Sequence, residues 1–125
     1  MRIRFVSVPV SDQDRAKQFY AETLSFEVVA DNPNGNVGRW IDLEIPGGGA
    51  GITLVTWFKE MPPGSMKGLV LEVDDMAASV AEWSGRGLQL TSEPKDTEFG
   101  CFATFDDPDG NGWVLMQPKA RATNN

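Results

Sequence analysis

No histidine occurs in these 125 residues. Proton transfer and metal binding therefore fall to carboxylates, and covalent chemistry to a single thiol. That thiol is Cys101. With no imidazole to serve as its base, nothing marks it as a nucleophile, and a small buried residue is expected. One cysteine also excludes an intrachain disulfide and a thiolate-based zinc site. Asp107, Asp109 and Asn111 have the alternate spacing of a calcium loop, but the run stops short and no distal glutamate completes it. Pro46-Gly47-Gly48-Gly49 lacks the Gly-Lys-Ser/Thr ending and the following helix of a phosphate loop, so it reads as a turn. What remains for chemistry is the set of Asp and Glu side chains and the aromatic rings. Which of them stand together depends on the elements that carry them.

Those elements are legible. Residues 3–10 alternate around Val6, Val8 and Val10, the pattern of a half-buried strand. Ser11 or Asp12 can cap the helix that follows, whose buried stripe is Ala16, Phe19, Tyr20 and Leu24. Strands are predicted over 26–29, 38–45 and 51–57, with a turn cluster at Asn32-Pro33-Asn34-Gly35-Asn36. After a Pro- and Gly-containing connection the plan repeats. A strand over 68–74 leads to a helix over 75–86 with Met76, Val80 and Trp83 on one face and Gly87 as its stop. Strands over 88–91, 100–106 and 112–117 follow. Trp83, Trp113, Phe19 and Tyr20 are expected in the core, and Cys101 beside them; Trp57 and Phe58 suit either a cleft mouth or a dimer contact.

The repetition extends to single residues. Val8-Pro9-Val10-Ser11-Asp12 returns as Leu71-Glu72-Val73-Asp74-Asp75, and Ile45-Pro46-Gly47-Gly48 as Asp107-Pro108-Asp109-Gly110. Trp40 matches Phe102 and Leu43 matches Phe105; Ile52 is matched with Val114 and Leu54 with Met116. Two halves with the same order of elements imply one duplicated module. The expected organisation is a first βαβββ module over 1–57, a connecting loop over 58–67, a second module over 68–118 and a polar C-terminal tail over 119–125.

Charge and size narrow the partners. A net charge of −7 argues against nonspecific nucleic-acid or anionic-membrane binding, since both need a basic surface. It suits a cationic ligand, and it equally suits plain solubility. No apolar run approaches the roughly 20 residues needed to cross a bilayer, and nothing resembles a signal peptide. The expectation is a cytoplasmic protein with no nucleic-acid and no membrane partner.

The Val-x-Val-x-Asp strand end, Phe19-Tyr20 in the helix, Leu24-Ser25-Phe26 after it and the closing Asp-Pro-Asp-Gly hairpin resemble the vicinal oxygen chelate superfamily. This is the group of glyoxalase I, the extradiol dioxygenases, the fosfomycin-resistance enzymes and the bleomycin-resistance proteins. The resemblance covers residues 3–117. It implies an α+β fold in which two tandem βαβββ modules form a curved, incompletely closed mixed sheet around a cleft, helices on the convex side, and commonly a homodimer. It also places metal ligands on the first and last strand of each module. Those positions fall on Phe5, Ile52, Gly68 and Val114, none of which offers a nitrogen or oxygen donor. No metal and no cofactor are therefore expected.

Strand alternation then suggests the lining of the implied cleft. Phe5, Ser7 and Pro9 face it from the first strand, Trp40, Asp42 and Glu44 from the third, and Ile52 and Leu54 from the fourth. Gly68, Val70 and Glu72, then Phe102, Thr104 and Asp106, then Val114 and Met116, are their counterparts in the second half. Ile41, Leu43 and Ile45 take the opposite, apolar face. The lining is aromatic at Phe5, Trp40 and Phe102 and acidic at Asp42, Glu44, Glu72 and Asp106. A cation over such a ring gains about 0.5–2 kcal/mol, and nearby carboxylates add attraction that salt weakens. The alternative reading of the same alternation is an antiparallel sheet with one face in water.

Two functions fit. The first is a metal-free small-molecule binder resembling the bleomycin-resistance branch, taking a cationic or aromatic molecule. The second is a lyase, isomerase or dioxygenase-like enzyme using non-standard oxygen ligands or a carboxylate base. Glu72, beside apolar Val70 and Met116, is the first candidate for that base, with Asp42 and Glu44 next.

Overall fold

The computed structural model describes residues 1–119. The expected tail lies outside the described residues from 120 onward. The chain is α+β. Its elements are β1 (Phe5–Pro9), α1 (Gln13–Gln18) continued by a π-helical turn (Phe19–Thr23), β2 (Glu27–Pro33), β3 (Arg39–Glu44) and β4 (Gly51–Val55). Then come β5 (Lys67–Glu72), α2 (Met76–Gly85), β6 (Leu90–Thr97), β7 (Gly100–Asp106) and β8 (Gly112–Pro118). They build two open four-stranded sheets, ordered β1-β4-β3-β2 and β5-β8-β7-β6, which is the tandem βαβββ plan. Two compact units result. One comprises Met1–Lys67 with Asp107–Asn111; the other comprises Gly68–Asp106 and the described residues from Gly112 onward.

In the first unit, β1 runs parallel to β4, and β3 is antiparallel to both β4 and β2. Asp12 caps α1 by accepting the Arg15 backbone N–H at 3.1 Å, satisfying one of the helix's orphan donors. The expected single helix changes character after Gln18. The Leu24 N–H reaches the Phe19 carbonyl, five residues back, so the last turn is wider than an α-turn. This leaves Tyr20 and Leu24 buried and Phe19 half-buried. Ser25, with φ of 63°, then reverses the chain into β2 from the left-handed region that side chains rarely occupy. Phe26 stacks on Tyr20, their centroids 5.7 Å apart.

Polar side chains clamp this unit. Buried Gln13 donates to the carbonyls of Arg39 (2.6 Å) and Leu54 (3.0 Å) and accepts the Arg39 N–H (2.9 Å), tying α1 to β3 and β4. Asp107 gathers the 107–111 turn: one carboxylate oxygen accepts the backbone N–H groups of Asp109 and Asn111, both at 2.9 Å. The other accepts the Tyr20 hydroxyl (2.7 Å) and the Asn111 amide (2.8 Å). The calcium-like spacing noted in the sequence is thus spent on closing a turn. Lys17 and Arg39 both hold Asp31, at 2.6 and 2.9 Å, and keep its carboxyl down to about 2. The Arg39 hydrogen bond is the larger cause and the Lys17 bond the next. The same pairing raises the Arg39 guanidinium.

In the second unit, Asp75 caps α2 as Asp12 caps α1, accepting the Ala78 N–H. The helix stops at Gly87, whose φ of 100° a side chain would resist, while the Leu88 N–H closes on the Trp83 carbonyl. Met76 and Trp83 are buried, as are Ala103, Phe105, Trp113 and Leu115 from β7 and β8. Phe105 and Trp113, directly paired across the strands, stack 6.1 Å apart.

Two strands outrun their sequence signal. β2 continues to Pro33 and β6 to Thr97, well past the expected ends at 29 and 91. Both are edge strands, and past residues 29 and 91 their side chains show no apolar alternation, so backbone pairing extends where that signal does not. Pro94 sits where the β6–β7 register shifts, a place that tolerates a missing N–H.

Candidate functional site

Register decides which residues share a face, because partners on neighbouring strands point the same way. In the first unit Phe5 is level with Gly51, and Ser7 with Thr53, which is in turn level with Asp42. Trp40 and Glu44 flank Asp42 on the same side of β3. Phe5, Ser7, Trp40, Asp42 and Glu44 therefore do stand on one face. At Gly51 a Cβ would collide with the Leu43 carbonyl oxygen and meet the Phe5 ring at 2.7 Å. That close approach explains a glycine in mid-sheet.

Ile52 and Leu54 do not stand there. Ile52 pairs with Val6 and Leu43, and Leu54 with Val8 and Ile41. Both are buried on the opposite, helix-facing side. The correction has a simple cause. Six residues, 45–50, connect β3 to β4, and five, 107–111, connect β7 to β8. Matching Ile52 with Val114 ignores that extra residue, and a slip of one inverts every side chain. The true counterpart of Val114, level with Thr104, is Thr53, level with Asp42. Comparing the lengths of the two turns is the signal that could have found Thr53.

The face is built around Asp42, which is only 8% exposed. Its Oδ1 accepts the Thr53 hydroxyl at 2.6 Å and its Oδ2 the Trp40 indole N–H at 3.0 Å. Trp40 stacks on Trp57, with centroids 5.6 Å apart and planes 23° from parallel, and Phe58 continues the series at 6.1 Å from Trp57. Trp40 remains 45% exposed, so part of its ring meets solvent. At the other end of the face, the Arg4 guanidinium sits 5.1 Å from the Phe5 centroid and 3.8 Å from exposed Glu44. The arrangement offers aromatic surface with its central carboxylate already engaged.

In the second unit Phe102 is level with Met116 and Thr104 with Val114, all four half-buried on one face. The Thr104 hydroxyl contacts those of Thr91 and Ser92 at 2.6 and 2.8 Å. Val70, Glu72 and Asp106 are exposed, and Glu72, the candidate base, alternates with buried Leu71 and Val73. Cys101 is half-buried rather than buried. It lines a concavity of about 520 Å³ with Asp96, Thr97, Glu98, Gln117 and Lys119. Burial, and next the Asp96 carboxylate, push its thiol up, away from the reactive thiolate.

Residues 2–115 match the model of the Glyoxalase/Bleomycin resistance protein/Dioxygenase superfamily. The chain belongs to this superfamily. Among its relatives is YetH of Bacillus subtilis, 37% identical over 119 residues, spanning 93% of this chain and 98% of that protein. Among solved structures, TnmS3, an antibiotic binding protein from Streptomyces sp. CB03234, is 45% identical. It superposes with a TM-score of 0.88 over 95% of this chain and 97% of its own. A glyoxalase/bleomycin resistance protein from the same Streptomyces strain is 46% identical, with a TM-score of 0.83 over 94% and 100%.

The glyoxalase and dioxygenase branches imply a metal, but the residues present do not fit one. Phe5, Gly68, Val114 and Ile52 carry no donor, and Thr53, which takes the place expected for Ile52, gives its hydroxyl to Asp42. Among the described residues no group of three or more Cys, Asp or Glu is placed to hold an ion. Nor is any described helix long and apolar enough to cross a membrane.

Proposed function

We propose that this member of the superfamily is a small-molecule binding protein that takes a planar aromatic or cationic ligand against the Trp40 face. The observation that carries this reading is the half-exposed Trp40 ring, backed by Trp57 and Phe58 on a face whose central carboxylate is already paired. An aromatic ring left open beside others is a stacking platform, and such pairs contribute about 0.5–1.5 kcal/mol beyond the area they bury. The 45% identity to a structure described as an antibiotic binding protein supports the binding of a small molecule. Action as a homodimer in the cytoplasm belongs to the proposal.

The test is a titration of purified protein with a panel of planar aromatic compounds, followed by tryptophan fluorescence and by the shift in Tm. Binding should quench emission and raise Tm, and Trp40→Ala should weaken it about tenfold, the equivalent of roughly 1.4 kcal/mol. No change in either signal across the panel at micromolar protein would sink the proposal.

A further inference from the structure

We infer that Asp42 is a positioning residue that locks the Trp40 indole, so that the site takes a planar aromatic ligand by ring stacking, without ion pairing to Asp42. The inference rests on the reading of this face as a ligand site, and it makes ring stacking, not charge, the basis of recognition.

The sequence alone makes Asp42 look like a counter-ion for a cation. The structure gives it another use. Both oxygens of this nearly buried carboxylate already accept hydrogen bonds, from the Thr53 hydroxyl and the Trp40 N–H. A ligand cation would reach only the lone pairs these donors leave and would have to lose water beside a nearly buried group. The bond to Trp40 does more than satisfy the carboxylate. It pins the one polar edge of the indole toward the sheet, while Trp57 supports the ring. What is left for a ligand is ring surface, held in place before binding, so little side-chain freedom is lost when it is used.

The nearby charges agree. Glu44, the exposed carboxylate two residues along β3, faces Arg4, whose guanidinium also lies near the Phe5 ring. A cationic ligand approaching this face meets a cation already there. The lock also occurs as a set. In the second unit Thr104 stands where Asp42 does and Phe102, which has no N–H, where Trp40 does.

Two dyes of equal ring size test this, uncharged acridone and cationic 10-methylacridinium. Each is titrated into wild type, Asp42→Asn and Asp42→Ala, and the exciton signal of the Trp40–Trp57 pair is read by circular dichroism. Wild type should bind both dyes within about threefold of each other, since stacking area and not charge sets the affinity. Asp42→Asn keeps one carbonyl acceptor for the indole and should weaken both dyes by the same small factor, about threefold, leaving their ratio unchanged. Asp42→Ala should weaken both by about tenfold or more and abolish the exciton signal. If Asp42→Ala does not fold, Thr53→Val takes its place. It should diminish the exciton signal and again leave the ratio unchanged. An acridinium preference above about tenfold that salt and Asp42→Asn both erase would overturn the inference, making Asp42 a counter-ion. That result would leave the binding proposal standing. Binding of neither dye to wild type would overturn the binding proposal and the inference together.

Discussion

The β3–β4 hairpin of the first unit and the β7–β8 hairpin of the second descend from one pattern and present different surfaces. At matched positions the first has Trp40, Asp42 and Thr53, and the second Phe102, Thr104 and Val114. In the first, a carboxylate between two donors converts three residues into a fixed indole. In the second, Thr104 bonds sideways to Thr91 and Ser92 on β6, and Phe102 lies level with Met116 with no polar anchor. Ring orientation in the first hairpin is set by a hydrogen bond, and in the second by packing alone. The comparison teaches that duplication preserved which residues share a face while only one copy acquired a rigid aromatic platform.

The sharpest way to break this comparison is through register, on which it depends. Leu54→Ala should destabilise the protein by about 2–5 kcal/mol, as removal of a fully buried leucine does, and Thr53→Val by about 1.5–3 kcal/mol, as loss of a hydrogen bond to a charged, nearly buried partner does. Chemical denaturation measures both. A cost below about 1 kcal/mol for Leu54→Ala would mean that Leu54, and not Thr53, lies on the open face. A smaller effect separates the two platforms: Phe102→Ala should change dye affinity less than about threefold while Trp40→Ala costs about tenfold. A larger loss at Phe102 would move the site to the second unit.

The smallest expected effect concerns acid. The Asp31 carboxyl titrates at about 2 in the folded chain against an ordinary 3.8. A group lowered on folding contributes stability above its unfolded value and loses that contribution as pH falls toward the folded one. Wild type should therefore lose Tm more steeply between pH 5 and about 2 than Asp31→Asn, and the two curves should converge near the lower limit. Parallel curves would show that the Lys17–Asp31–Arg39 cluster gives no such contribution. These side chains are a quarter to a third exposed, so solvent screening keeps the difference small.

Some of this molecule was written in its residues. A cap at Ser11 or Asp12 announces the first helix, because a side-chain oxygen before an apolar stripe satisfies a helix's first N–H groups wherever it occurs, and the return of Val8–Asp12 as Leu71–Asp75 announces the second. Alternation along β1, β3, β7 and β8 separates a helix-facing side from an open one, since that period belongs to the strand itself. The duplicated order of elements, and with it the α+β class, follows from such local rules. The reach of β2 and β6 was not legible, because main-chain pairing at a sheet edge needs no particular side chain. The placement of β4 was not legible either. Its alternation was plain, but which half of it joins Phe5 and Trp40 depends on a single residue in a turn that no periodicity measures. Last came the use of Asp42. Its type made it a candidate charge for a ligand, and only the folded chain, by setting the Thr53 hydroxyl and the Trp40 indole against its two oxygens, made it a brace for a ring.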